Sequence, residues 1–458
     1  SDLVGIDLMP HLMKTMQDGL QAGDALLEKM RIPDVINTML KEGYTGRKGK
    51  GGFYRLNRSG SDKIKESINL ATGQYSVSQP ARLASVDAAR YGGIKALISH
   101  SDKGGQYAWR VLAQTLAYAA SLLPEVGDDL PAIDEAMRLG YNWKYGPFEL
   151  LDQIGADAFA SRLQAEGKSV PPLLEKARAH GFYQVADGEI QYLKLDGSYQ
   201  HLQRPEGVLL LADIKRHSQP LAKNASASLW DIGDGVVCLE FTSKMNSLDA
   251  QILDMIRKAL NIIPQQYQAL VIYNEGENFS LGANLGLILF TANIAAWGQM
   301  EQAVQYGQET YQALKHAPFP VIGAPSGMAL GGGCEILLHC SAVQAHAETY
   351  MGLVEVGVGV LPAWGGCKEM LQRWVMNPKR PGGLLPPVIK VFETISTATV
   401  AKSAQEARDY LFLRPQDGIT MNRDRLLADA KAKALAMVAG YKPPQPQEIS
   451  LPGPTAKV

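Results

Sequence analysis

Six residues near the start of the chain, DLVGID at 2–7, return as DQIGAD at 152–157: the same D-x-[VI]-G-x-D pattern, 150 positions further on. A second pair follows in the same order, GGFYR at 51–55 and HGFYQ at 180–184. Paired self-similarity of this kind marks a duplicated structural unit, which limits what the first 190 residues can fold into. The stretches between the motifs, LMKTMQDGLQAGDALLEKM and AWRVLAQTLAYAASLL, place apolar residues three or four apart, the period of an amphipathic helix. Residues 1–95 and 96–190 are therefore read as two related, all-α domains. Phe53, Tyr54 and Phe148, inside or beside these motifs, are read as core residues.

From 191 to 226 the pattern breaks down into polar, proline-containing segments such as GSYQHLQRPEG, the composition of a linker. Residues 227–440 change character: short apolar runs at 235–241, 269–273, 319–327 and 342–348 alternate with helix-like segments, so this region is α/β. Residues 441–458 hold five prolines and read as a loose or surface-bound tail. A length of 458 residues allows about three domains of ordinary size. With 45 basic and 46 acidic residues the net charge is -1, so the total offers nothing to nucleic acid or an anionic membrane. No apolar run reaches the roughly 20 residues of a membrane helix. Four cysteines without a C-x-x-C pair read as reduced thiols of a cytoplasmic protein, and no zinc site is expected. A first residue Ser1, leading straight into a patterned segment, suggests a chain cut from something longer.

The α/β region contains MALGGGCEILLHC at 328–340. Three glycines before an apolar run mark a sharp turn or a close backbone approach, with Gly331, Gly332 and Gly333 at the N-terminus of a buried helix. Free amide donors and partial positive charge gather there and suit an oxyanion; a tight turn without a ligand fits the glycines equally well. Glu335 lies beside this turn and Glu355 follows twenty positions later.

Taken together, NFSLGANL (278–285), GGGCE (331–335) and VEVGVGVLPAWGG (354–366) resemble the crotonase (enoyl-CoA hydratase/isomerase) family. The resemblance implies a crotonase fold of ββα superhelix type. It also implies two backbone N–H donors to a thioester oxygen, which match Leu281 and Gly332 here, and a carboxylate pair that matches Glu335 and Glu355. Adding water to an α,β-unsaturated thioester builds negative charge on the carbonyl oxygen, so two fixed donors lower the barrier, each worth on the order of 10²- to 10³-fold. The carboxylates together would grip the water, with Glu355 giving a proton to the α-carbon. Gly282, Ala283, Gly331 and Ala363 fall on the family's substrate segments. Lys244 is a candidate partner for CoA phosphates, although a lysine at a strand end is more often simply solvated. Asn284 stands where the family has Asp, and Trp364 stands where small residues are commoner; its indole either narrows the acyl pocket or packs in the core, and packing is the simpler reading.

The helical region resembles the C-terminal domain of 3-hydroxyacyl-CoA dehydrogenases, through IDEAMRLGYNWKYGPFELLDQIGAD (133–157) and GYTGRKGKGGFYR (43–55). The resemblance implies a bifunctional β-oxidation parent in which a dehydrogenase using NAD precedes a hydratase needing no cofactor. No G-x-G-x-x-G occurs in this sequence, so the NAD-binding domain is expected upstream as a missing partner, with a homodimer as another partner. The expected activity is hydration of trans-2-enoyl-CoA to 3-hydroxyacyl-CoA. An isomerase on the same scaffold and a non-catalytic acyl-CoA-binding module are the alternatives.

Overall fold

The computed structural model describes residues 2–57, 63–379, 381–383, 385–449 and 453. It divides into two units, Ser1–Leu202 and Gln203–Val458.

In the first unit the helices Lys103–Ser121, Leu130–Tyr141, Pro147–Ile154 and Ala156–Ala165 bury Trp109, Leu116, Phe148, Leu151 and Phe159 in one core. Their starts are written in the sequence. Asp102 accepts from Gly105 N–H at 2.9 Å and Asp129 from Ala132 N–H at 2.9 Å, each satisfying a first-turn amide. The duplicated motifs do the same work twice. The Asp2 carboxylate accepts from the amides of Phe53 (3.0 Å) and Tyr54 (2.8 Å), and Asp152 accepts from Phe182 and Tyr183, both at 2.7 Å. In each copy a tyrosine hydroxyl, Tyr75 or Tyr199, then donates at 2.6 Å to the carbonyl before the Phe-Tyr pair, that of Gly52 or Gly181.

Each motif pair opens a three-stranded antiparallel meander, Tyr54–Asn57 with Ile64–Ile68 and Tyr75–Val77, and Tyr183–Ala186 with Glu189–Leu193 and Tyr199–His201. The helical units thus carry small sheets that periodicity did not announce. The expected linker at 191–226 is also structured: its first residues complete the second meander, and Leu211–His217 is a helix whose Leu211 is fully buried in the second unit. The expected boundary at 95/96 falls within the span Ala84–Ser99, just beyond Gly93 (φ 61°, ψ −156°), where two helical pieces meet at a kink. Tyr54 is not core but 53% exposed: residues alternate faces along its strand, and Lys65 Nζ lies 4.7 Å from its ring centroid.

The second unit is built on a seven-stranded sheet in the order 418–420, 342–346, 321–324, 269–273, 236–241, 227–231, 222–223. Its first five strands are parallel and its last two pairings antiparallel. Strands buried on both faces need continuous apolar runs, which is why ALVIY at 269–273 is buried throughout. One face packs on Ile252, Ile256, Tyr311, Leu337 and Phe412, the other on Leu211, Leu426 and Leu427. A smaller sheet pairs Gly327–Leu330 in parallel with Thr349–Gly352, and the latter antiparallel with Val400–Ala401. The start of the proline-rich tail is tied down: Tyr441 and Ser341 share a hydroxyl hydrogen bond of 2.7 Å, and His316 Nδ1 bonds Pro444 O at 2.8 Å. Residues 450–452 and 454–458 lie outside the described residues.

Candidate active site

The small sheet gathers the site. Leu330 pairs with Gly352, so the chain leaves two neighbouring parallel strands side by side, one into Gly331–Glu335 and the other into Glu355. The Gly331 amide closes the pair by donating to Gly352 O at 2.9 Å. A third segment joins through single bridges, Ser280 to Ala329 and Leu248 to Ala283. Open parallel sheets place functional groups at the carboxyl ends of their strands in the same way.

Gly331 takes φ 54° and ψ −126°, a conformation closed to residues with a β-carbon, and caps the helix Gly332–Leu338. Crowding reinforces the choice of glycine along the turn. A β-carbon on Gly331 would lie 3.2 Å from Glu355 Oε1, one on Gly282 would lie 2.9 Å from Leu330 O and 3.2 Å from Gly332 N, and one on Gly333 would lie 2.7 Å from Ser280 Cβ.

Glu335 is 2% exposed, and its Oε1 accepts from the amides of Trp364 (2.9 Å) and Gly366 (2.8 Å). Burial, with the Glu355 charge adding to it, pushes its carboxyl up to about 8 despite those two donors. Glu355 starts a 3-10 turn after its strand; both carboxylate oxygens are buried without a hydrogen-bond partner among the described residues, and burial raises its carboxyl to about 7. A buried ionisable group without a protein partner is a strong local sign of a functional site.

The remaining expected residues divide. Gly331, Gly332 and Gly282 are in mutual van der Waals range with Ala283 next in the chain, and the Gly332 amide has no partner among the described residues. The Leu281 amide is not bare: it donates to Met245 O over a long 3.4 Å. This differs from the expected free donor, because the turn Lys244–Asn246, with Met245 and Asn246 both at positive φ, aims a carbonyl at it. Lys244 is exposed on that turn. Ala363 is exposed, and its carbonyl accepts from Gln308 Nε2 at 2.7 Å. Asn284 serves as a helix cap, its side chain accepting from Leu287 N–H at 3.3 Å. The Trp364 indole packs against the core, the simpler of the two readings, and its backbone amide in addition holds Glu335. Sequence reasoning passed over this hold on Glu335 and the Tyr311 hydroxyl, which donates to Gly332 O at 3.1 Å. The pair of glycines at 365–366 was the available signal: a β-carbon on Gly366 would meet Leu353 at 2.9 Å.

Residues 231–378 match the family model described as enoyl-CoA hydratase/isomerase, and residues 105–192 that of the 3-hydroxyacyl-CoA dehydrogenase C-terminal domain. A probable 3-hydroxyacyl-CoA dehydrogenase of Bacillus subtilis is 36% identical over 460 residues, covering 99% of this chain and 57% of that protein. A putative fatty acid oxidation complex trifunctional enzyme of Rickettsia felis is 33% identical over 372 residues, 81% of this chain and 48% of its own length. Among solved structures, an enoyl-CoA hydratase from Bacillus anthracis is 25% identical with a TM-score of 0.39, over 48% of this chain and 78% of that one. The chain spans about half the length of the curated relatives it matches. In one polypeptide, then, a segment that matches the 3-hydroxyacyl-CoA dehydrogenase C-terminal domain, at 105–192, precedes one that matches the enoyl-CoA hydratase/isomerase family, at 231–378.

Proposed function

We propose that the second unit hydrates trans-2-enoyl-CoA thioesters to 3-hydroxyacyl-CoA, with Glu335 and Glu355 as the acid–base pair and the amides of Gly332 and Leu281 as donors to the thioester oxygen. The observation that carries this reading is the bare, buried Glu355 carboxylate beside the unpartnered amide of Gly332, with Glu335 on the adjoining turn. Glu335 has Oε1 fixed by two amides, which orients the group as a base toward water. Glu335 holds a proton more firmly than Glu355, so the working form, with Glu335 ionised and Glu355 protonated, is the minor arrangement of the singly protonated pair, and in it Glu355 supplies the proton to the α-carbon. The steps balance: hydroxide equivalent joins carbon 3, the water proton goes to Glu335, the Glu355 proton goes to carbon 2, and solvent returns the proton from one carboxyl to the other. Charge that collects on the thioester oxygen in between is held by the Gly332 amide and, once Met245 O gives way, by that of Leu281. Ala283, Gly282 and Gly331 would line the thioester, with Lys244 and Ala363 at its margin.

Steady-state assays with trans-2-butenoyl-CoA test this. Glu335→Gln and Glu355→Gln should each lower kcat by about 10²- to 10⁴-fold while retention on a CoA resin persists. Full turnover in both would overturn the reading, and retention without any wild-type turnover would favour a binding module. Supplying cis-3-enoyl-CoA separates hydration from double-bond shift.

For the longer protein we propose a bifunctional role in fatty-acid β-oxidation, in the cytoplasm, with NAD serving a dehydrogenase domain that this chain does not itself provide. Residues 1–95 and 96–190 would be two copies of the dehydrogenase C-terminal domain that dock it or support a homodimer.

A further inference from the structure

An oxyanion donor on a glycine poses a mechanical problem. Glycine has the widest torsional freedom of any residue, and a donor stabilises a transition state only if its direction is set beforehand. A β-carbon on Gly332 would crowd its neighbours, at 3.0 Å from Leu248 Cδ1 and 3.2 Å from Trp364 Cζ3. Stiffness has to come from its neighbours.

Two aromatic side chains supply it. Tyr311, fully buried on the helix Trp297–Lys315, donates its hydroxyl to Gly332 O at 3.1 Å. Trp364 brings its six-membered ring to the side of Gly332 where a β-carbon would stand, and its ring is edge-on to Tyr311 with centroids 5.5 Å apart and an interplanar angle of 74°. The same residue's amide donates to Glu335 Oε1. Room for the indole is made one helical turn from Tyr311, at Gly307, where a β-carbon would lie 2.2 Å from Trp364 Nε1. A glycine inside a helix weakens it, so its place opposite the indole is a matter of fit.

We propose that Tyr311 and Trp364, seated in the slot opened by Gly307, form a clamp that fixes the Gly332 amide and the Glu335 carboxylate in one frame. They are positioning residues. Tyr311 acts through Gly332, and Trp364 acts through both Gly332 and Glu335. As a device for the reaction, the clamp rests on the hydratase reading above.

The test uses the full chain with three substitutions outside the acid–base pair: Tyr311→Phe, Gly307→Ala and Trp364→Ala, with Trp364→Phe as the conservative control. Each of the first three should lower kcat for trans-2-butenoyl-CoA by about 10- to 100-fold, the scale of a small misplacement at a reacting centre, with KM within about threefold. Trp364→Ala should also shift the alkaline limb of the pH–rate profile upward, because the loosened loop withdraws an amide that favours the ionised form of Glu335. Trp364→Phe should restore most of the rate. Hydrogen exchange gives a readout independent of turnover: the amides of Cys334 and Glu335, which both donate to Gly331 O, should exchange about tenfold faster in Tyr311→Phe and Gly307→Ala, with the central strands unchanged. Unaltered exchange together with unaltered kcat in these two variants overturns the clamp while leaving the hydratase reading in place. A wild-type chain that does not hydrate overturns that reading, and the exchange data still decide the clamp.

Discussion

Burial raises the carboxyls of Glu335 and Glu355 to about 8 and about 7, and the Glu355 charge adds to the rise at Glu335, so between those values the pair holds close to one proton. Hydration needs that state, one group ionised and one protonated. Below about 7 the second proton arrives and the base is lost; above about 8 the last proton leaves and the acid is lost. The expected outcome is a bell-shaped kcat/KM with its maximum between those limits, measured on trans-2-butenoyl-CoA. Stability carries the opposite mark. A carboxyl whose folded value is raised favours the folded state fully below its unfolded value near 4.5 and loses that contribution as pH rises through the folded value. Glu335→Gln should therefore melt higher than wild type at pH 9 while hydrating far more slowly, which differential scanning calorimetry can check. Both carboxylates could be named from the sequence because each sits inside a short local motif, GGGCE or VEVGVGVLPAWGG, that carries the family resemblance. Tyr311 and Trp364 were not, because their contact to Gly332 joins positions 21 and 32 apart and has no local pattern.

At the scale of elements, the duplicated aspartates show how little sequence is needed to specify a junction. Asp152 satisfies the two amides that open a meander, and its removal leaves both without a partner. Asp152→Ala should destabilise the first unit by about 2 kcal/mol, seen as a lower first transition in urea, with hydration unchanged. Gly146→Ala should be still more damaging, since its β-carbon would lie 2.2 Å from the Asp134 carboxylate, which accepts from Phe148 N–H at 2.8 Å and Glu149 N–H at 3.2 Å at a helix start. Long helices and buried strands announced themselves by period and by unbroken apolar runs. The meanders did not: strands of three to five residues such as YQVA and EIQYL are too short for a period, and their pairing is set by Asp2 and Asp152 from far away in the chain.

For the whole molecule, the two units have separate cores: Trp109, Phe148 and Phe159 in one, the packed faces of a seven-stranded sheet in the other. Expressed alone, residues 203–458 should fold and retain hydration within about threefold of the full chain, and their loss of the lower thermal transition would identify it with the first unit. The turn at Met245 adds something about the life of this enzyme between substrates. Its carbonyl already sits on the Leu281 amide, so on the proposed reading an arriving thioester would exchange one oxygen for another at that point, and its ground-state gain there would be only the difference between a good bond and one stretched to 3.4 Å. As charge builds on the incoming oxygen the exchange would become lopsided in its favour, and with the charge gone the chain's own oxygen would be at hand to take the place back.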